Sequence, residues 1–366
     1  MNNRLLVKLG LFGKISKFCA DFLQNFKKSN FNEQMEVSKS IRWIACLLTI
    51  LSACSSDSNT NKSELKQWME SSDDLKVLST TAMIDDMVKQ VGGDQVKTLV
   101  LIQGDLDPHS YQLVKGDQEK LLTASVIMAN GLNLEHGASL KNFLSSSSKA
   151  YFVGDYIAKQ TPEKILKFKG ETDPHIWMDI SLWQSAIPLV VQALSEARPS
   201  KKEYFELRGE KLKELYLNKH DQIKAILAEV PSQRRYLVTS HDAFNYFARA
   251  YLAEPSEIAD NSWSQRFQAP EGLAPDSQLS LNDIRYIVEH LKKYNIHVIF
   301  PESNLSPDSL KKIVDAAGRE GVNVTLGNPY LYGDAMGPKG SDGDTYLKMI
   351  EHNAKTIRDD IMEASR

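Results

Sequence analysis

Among the eight histidines of this 366-residue chain, His109, His175 and His241 each follow the carboxyl end of a segment that reads as a β-strand. His109 lies in Asp107-Pro108-His109-Ser110-Tyr111, beyond a strand ending at Ile102. His175 lies in Asp173-Pro174-His175-Ile176-Trp177, beyond a strand near Phe152 and a polar loop, and His241 directly follows Val238-Thr239-Ser240. In open parallel sheets the ligand crevice lies outside such strand ends. A carboxylate occupies the same kind of loop after Leu326, in Gly327-Asn328-Pro329-Tyr330-Leu331-Tyr332-Gly333-Asp334. Two of these positions come from each half of the body, so all four could converge at a cleft. Imidazoles with a carboxylate suit Zn²⁺, Mn²⁺ or Fe²⁺ and suit Ca²⁺ poorly, because Ca²⁺ prefers oxygen-only cages. Spacing alone leaves a second reading open, in which the four are loop residues exposed to solvent.

The elements that must carry these side chains alternate in type from Leu75 onward. Lys76–Ser79 reads as a strand, followed by a helix through Met83, Met87 and Val91 that Gly92-Gly93-Asp94 closes. Strands at Val96–Ile102, Val126–Ala129 and Tyr151–Val153 follow, with helices between them, one over Asp117–Thr123. This alternation predicts a mostly parallel sheet with helices on both faces. Residues 200–229 read as one long helix with Tyr204, Leu207, Leu212, Leu215, Ile223 and Ile226 as its apolar stripe. Strand and helix then alternate again from Tyr236 to a final helix over Thr345–Met362, while Glu254–Gln278 reads as loop. The fold class is therefore α/β: two lobes joined by one connector helix, with a cleft between them. The lobes are placed at 75–198 and 231–366, and the connector at 199–230.

The amino-terminal region reads as an address. Its one strongly apolar stretch, Trp43–Leu51, follows Lys39 and Arg42 and runs into Leu51-Ser52-Ala53-Cys54. That is the layout of a secretory signal, and the stretch is too short to span a bilayer, which needs about 20 residues. The last four residues resemble the bacterial lipoprotein box, which would make Cys54 the lipidated first residue of the mature chain. Residues 35–53 are thus expected to be the signal, opened by Met35. Residues 1–34 would be an upstream extension or misassigned start, and 54–74 a lipid-anchored flexible tether.

Composition excludes several classes. A balance of 44 Lys and Arg against 47 Asp and Glu leaves a net charge of −3, which gives nucleic acid no basic surface to grip. The three cysteines are Cys19, Cys46 and Cys54, so the body has neither a disulfide nor a thiol-based metal site. No HExxH helix and no GxSxG elbow occurs.

Longer stretches carry a family resemblance. DPHSY at 107–111, ANGLNLEHG at 129–137, DPHIWMD at 173–179, TSHDAFNYF at 239–247, LYGDAMG from 331 and DTYLKMIEHNAKTI up to 357 are similar to segments of the TroA-like, cluster A-I metal-binding proteins that serve bacterial ABC importers. The wording, including APEGLAPDSQLSLNDI at 269–284, is most similar to a chlamydial branch associated with iron uptake. The resemblance implies two α/β lobes bridged by one long helix. It also implies metal ligands at His109, His175, His241 and Asp334, and one divalent ion (Mn²⁺, Zn²⁺ or Fe²⁺) as transported cargo. The implied partners are an ABC permease and, through it, a cytoplasmic ATPase. The protein is expected in the periplasm as a monomer, lipid-anchored through Cys54, and is not expected to be an enzyme. Two departures bear on the metal: the stretch 159–172 lacks the His-rich loop usual in zinc-dedicated members, and the third position is His241 where manganese members often have Glu.

The other histidines read as structural: His136 in a helix, His220 on the exposed side of the connector, His290 and His352 on helices, and His297 at a strand start. Glu302, in Phe300-Pro301-Glu302-Ser303, reads first as a helix cap or a bridge between lobes and second as support behind a ligand. Trp177 and Tyr332 flank ligand candidates and read as packing that keeps water from the cleft. Two competing functions are a zinc-dependent hydrolase, since such ligands also activate water, and a surface adhesin, which rests on the anchor alone.

Overall fold

The computed structural model describes residues 65–70, 73–168, 170–274 and 279–364. The expected signal, its upstream extension, Cys54 and the tether as far as residue 64 lie outside the described residues. The packed body begins ahead of Leu75, because Trp68 is buried and its indole Nε1 donates to the Lys97 carbonyl at 2.9 Å.

The first lobe is built on a four-stranded parallel sheet: β1 (Leu75–Ser79), β2 (Val96–Val100), β3 (Val126–Ala129) and β4 (Ala150–Phe152), in the order β2-β1-β3-β4. Side chains alternate across it, as the two-residue strand period requires. Val77, Val126 and Met128 face one core with Met83, Met87 and Val91 of the helix Ala82–Gly92. Leu78, Ile127 and Ala129 face a second core with Trp68, Leu121, Leu140 and Leu144. Both faces are covered, so β1 and β3 are buried along their whole length. Each fully buried Val, Leu or Met contributes about 1.5–3 kcal/mol, which holds the strand ends in a fixed place.

The second lobe uses shorter strands. β5 (Leu237–Val238) pairs in parallel with β6 (Phe267–Gln268), and β7 (Val298–Ile299) pairs in parallel with β8 (Thr325–Leu326). The Phe300 amide donates to the Val238 carbonyl at 2.8 Å and joins the two pairs. Alternation again divides the cores: Leu237 and Val298 face the central one, while Val238 and Ile299 face Ile287, Leu291, Leu310 and Ile313.

Lys202–Ala228 is one helix of 27 residues and packs on Ala82–Gly92, Ile187–Ala197 and Tyr346–Glu363. Gly209 permits the close approach to Ile187–Ala197, since a Cβ there would stand 2.7 Å from Val191 Cγ2. The buried stripe is Phe205, Leu212, Tyr216, Ile223 and Leu227. Leu207 and Leu215, expected in it, are 59% and 47% exposed. His220, expected outside, is buried, with Nδ1 3.0 Å from Tyr251 Oη. The stripe is rotated because packing partners lie on several sides, including the final helix.

Two other sequence readings are corrected. Glu254–Gln278 is no featureless loop: Pro255–Ala259 is helical behind a Glu254/Glu257 capping box, and β6 lies within the segment. Buried Arg266 ties it together by pairing with Glu257 at 2.8 Å. His136 is not helical. Leu132 and Asn133 have φ of 50° and 62°, a left-handed conformation that breaks a helix, and His136 lies in the resulting loop.

Candidate metal centre

Loops after the parallel strands β2, β5 and β8 converge on one buried point. His175 reaches it from beyond an antiparallel pair, Lys167–Phe168 with Glu171–Thr172, not from the end of β4 as its sequence position suggests. Beyond β2, Asp107 Oδ1 accepts the His109 amide at 2.8 Å, and the His109 carbonyl accepts the Gly137 amide at 3.1 Å. Beyond β3, the buried Glu135 carboxylate accepts from Thr80 Oγ1 at 2.6 Å and from the amides of Asn130 and Gly131 at 2.8 and 3.1 Å. Asn130 Nδ2 then donates to the Pro174 carbonyl at 3.1 Å, beside His175. The carboxylate of Asp173 accepts both the His175 amide and its ring, at 2.9 and 2.7 Å.

From the second lobe, Glu302 does the corresponding work. Its Oε1 accepts the amides of Ser240 and His241 at 2.9 and 3.0 Å, and its Oε2 lies 2.8 Å from His241 Nδ1. Glu302 is fully buried, and its carboxylate lies against the His241 ring and amide instead of capping a helix. The loop after β8 runs close beside it; at Gly333 a Cβ would stand 2.2 Å from Glu302 Oε2. Asn353 fixes this loop by accepting the Tyr332 amide at 2.9 Å and donating to its carbonyl at 2.8 Å. Trp177 Nε1 donates to the Gly333 carbonyl at 3.0 Å across the cleft, and Tyr346 Oη donates to the Trp177 carbonyl at 2.6 Å.

The result brings His109, His175, His241 and Asp334 together, with one donor atom of each lying within 4.8 Å of all the others. His109 Nε2 and His175 Nε2 are 3.2 Å apart. The three Nε2 atoms lie 3.4, 3.3 and 3.2 Å from Asp334 oxygens, taken in chain order. All four residues are buried, so the reading of exposed loop residues is set aside. A tetrahedron of donors about 2.0–2.1 Å from a Zn²⁺ ion has edges of about 3.3 Å; the His109–His175 separation and the three imidazole–carboxylate contacts are of that size.

Electrostatics follow from this crowding. Burial alone would raise the Asp334 carboxyl, but His241 and the three converging imidazoles hold it well below the usual range. Burial disfavours a charged His175, yet Asp173 and Asp334 outweigh it and push the ring up to about 9. His241 is likewise raised, against burial, by Glu302 and Asp334. For His109 burial prevails over Asp334, and its pKa is lowered. Two imidazoles thus favour a positive charge beside the carboxylate, and a metal cation supplies that charge while replacing their protons.

His290, His297 and His352 lie apart from this cluster. His290 packs between Tyr236 and Tyr294, and burial lowers it to about 4. His297 Nδ1 and His352 Nε2 bond carbonyl oxygens of Asn323 and Tyr330, at 2.9 and 3.0 Å. Sequence reasoning named no role for Asp173 or Glu135. Asp173 has the one local signal, its place two residues before a candidate histidine, as Asp107 has before His109.

The model of the ZnuA family, described as zinc-uptake complex component A, periplasmic, matches residues 77–360. The metal-binding protein YtgA of Chlamydia pneumoniae is 35% identical over 327 residues, covering 89% of this chain and 95% of that protein. The manganese-binding lipoprotein MntA of Bacillus subtilis is 33% identical over 287 residues, covering 77% and 88%. Among solved structures, Fe(III)-bound YtgA from Chlamydia trachomatis superposes with a TM-score of 0.74 at 35% identity, covering 78% of this chain and 98% of that one.

Proposed function

The chain belongs to the ZnuA family, and on that premise we propose that it captures a divalent first-row transition ion and delivers it to an ABC-type permease for import. The observation that carries this reading is the buried convergence of His109, His175, His241 and Asp334 from both lobes. In this reading the three Nε2 atoms and the Asp334 carboxylate bind the ion. Asp173 and Glu302 orient His175 and His241 from behind, the arrangement that usually fixes a ligating imidazole. The cargo is Zn²⁺, Mn²⁺ or Fe²⁺, all of which accept imidazole and carboxylate donors. Among the relatives, MntA is named for manganese and YtgA of Chlamydia trachomatis was solved with Fe(III), while the family is named for zinc.

The protein performs no covalent chemistry in this account. A hydrolytic site needs a general base beside an open coordination position. Here the carboxylates behind His175 and His241, Asp173 and Glu302, are engaged by the imidazole Nδ1 atoms. Ligands from two lobes also suit capture and release, since opening the cleft separates two donors from the other two. The permease partner, lipid attachment at Cys54 and a periplasmic location accord with family members that are named periplasmic components or lipoproteins. The three-part division into lobes at 75–198 and 231–366 with a connector at 199–230, and a monomeric state, belong to the same proposal.

The test is a titration of chelator-treated protein with Zn²⁺, Mn²⁺ and Fe²⁺, followed by calorimetry and thermal melting. A ligand of the native state raises stability by RT ln(1 + [L]/Kd), so at least one ion should raise the melting temperature. No response to any of the three would remove the proposal.

A further inference from the structure

A cavity of about 410 Å³ opens in the cleft beside the centre, lined by His109, His136, Asp155 and Glu171 from the first lobe and Leu273 from the second. His109 is the proposed ligand that borders it. The ring of His136, partly exposed, has its centroid 5.8 Å from that of His109. His136 Nδ1 lies 3.3 Å from the Asn133 carbonyl oxygen. A carbonyl only accepts, so Nδ1 carries the hydrogen and Nε2 keeps its lone pair. The loop is fixed on both sides of this ring: Glu135 is clamped by three donors, and the Gly137 amide bonds the His109 carbonyl. The cavity thus presents one metal-competent nitrogen with two carboxylates, one of which, Asp155, also accepts the Leu132 amide at 2.8 Å.

We propose that His136 is a transient ligand at the mouth of the centre, receiving the incoming divalent ion in this cavity and passing it to His109. The inference rests on the ligand set proposed above. Asp155 and Glu171 concentrate cations in the cavity, as like-charged walls of a cleft do. A single imidazole gives one-point binding, weak enough to release the ion inward. His136 stands outside the four donors that share a centre, so it makes no resident bond. A relay acts in both directions, so its loss slows association and dissociation by the same factor and leaves the equilibrium constant unchanged.

The experiment is stopped-flow mixing of the metal-free full chain with Zn²⁺ or Mn²⁺, followed by tryptophan fluorescence, with equilibrium constants from calorimetry. Trp177 provides the signal, its ring 5.2 Å from that of His175. His136→Ala and His136→Gln should each slow association about tenfold while Kd and the metal-free melting temperature match the parent. Glu171→Gln should slow association by a smaller factor that high salt erases. Association at the parent rate in both His136 variants would overturn the inference, as would a weakened Kd with unchanged association. A parent that binds neither ion would instead contradict the proposed function.

Discussion

Asn245 of the second lobe donates its side-chain amide to Asp173 Oδ2 at 3.0 Å, while Asp173 Oδ1 holds the His175 ring at 2.7 Å. One carboxylate therefore orients a proposed ligand and receives a contact from the opposite side of the cleft. Asn245→Ala removes a hydrogen bond to a charged group at the closed interface. Metal binding should weaken about five- to tenfold, or about 1–1.5 kcal/mol, chiefly through faster dissociation. Chelator-chase kinetics measure this. A dissociation rate equal to the parent's would mean that Asn245 contributes nothing to closure.

Glu302 holds His241 through its ring and through two backbone amides. In Glu302→Gln the amide oxygen can still accept those amides, but the negative charge behind the imidazole is gone. Metal affinity should fall about 10- to 100-fold, the usual cost of losing such a partner. Calorimetric titration checks this, and parent-like affinity would reduce Glu302 to a structural role.

Asp334 is the one negatively charged member of the proposed ligand set, and it faces all three imidazoles. Asp334→Ala should weaken binding of Zn²⁺, Mn²⁺ and Fe²⁺ and loosen closure, since the second lobe then retains His241 alone. Asp334→Asn keeps the shape but leaves a divalent ion less compensated in a buried site, so it too should bind weakly. Undiminished affinity in Asp334→Ala for all three ions would place the fourth donor elsewhere.

The pH dependence has opposite signs with and without metal. His175 is raised from 6.5 to about 9 in the metal-free fold, and His241 is raised as well. Their protonated forms stabilise that fold fully below about pH 6.5, and this contribution is lost as pH rises through about 9. Asp334 is depressed, so its contribution is present above about pH 4 and fails only in stronger acid. The melting temperature of chelated protein should therefore fall between about pH 6.5 and 9. Metal affinity should rise over the same interval, because the imidazoles must lose protons to bind. A metal-free melting temperature that rises with pH would contradict the assignment of these charges.

The alternation of strands and helices was legible because β1 and β3 are buried on both faces and carry continuous apolar runs. Of the four candidate ligands, His109, His241 and Asp334 follow ends of parallel strands, which such sheets gather on one side. His175 does not, since the helix Val153–Gln160 and the antiparallel pair Lys167–Phe168 and Glu171–Thr172 stand between it and β4. Glu302 was harder to read, since its bond to His241 joins residues 61 positions apart. β6 escaped notice because Phe267 stands alone among Gln265, Arg266 and Gln268, with no apolar run like those around β5 and β7 to mark it. His136 was misread because Asn-Leu-Glu-His resembles helix-forming sequence, whereas Glu135 is buried as a clamp for the β3 loop. His220 was misplaced because the connector offers two apolar stripes, and tertiary packing chose the one through Phe205, Tyr216 and Leu227.

Anomalous diffraction from metal-loaded crystals decides whether one divalent ion sits among His109, His175, His241 and Asp334. A single strong peak at the metal edge is expected, within about 2.0–2.3 Å of the three Nε2 atoms and an Asp334 oxygen. A peak coordinated by other side chains, or crystals soaked in each of Zn²⁺, Mn²⁺ and Fe²⁺ without a peak at this point, would contradict the proposed ligand set.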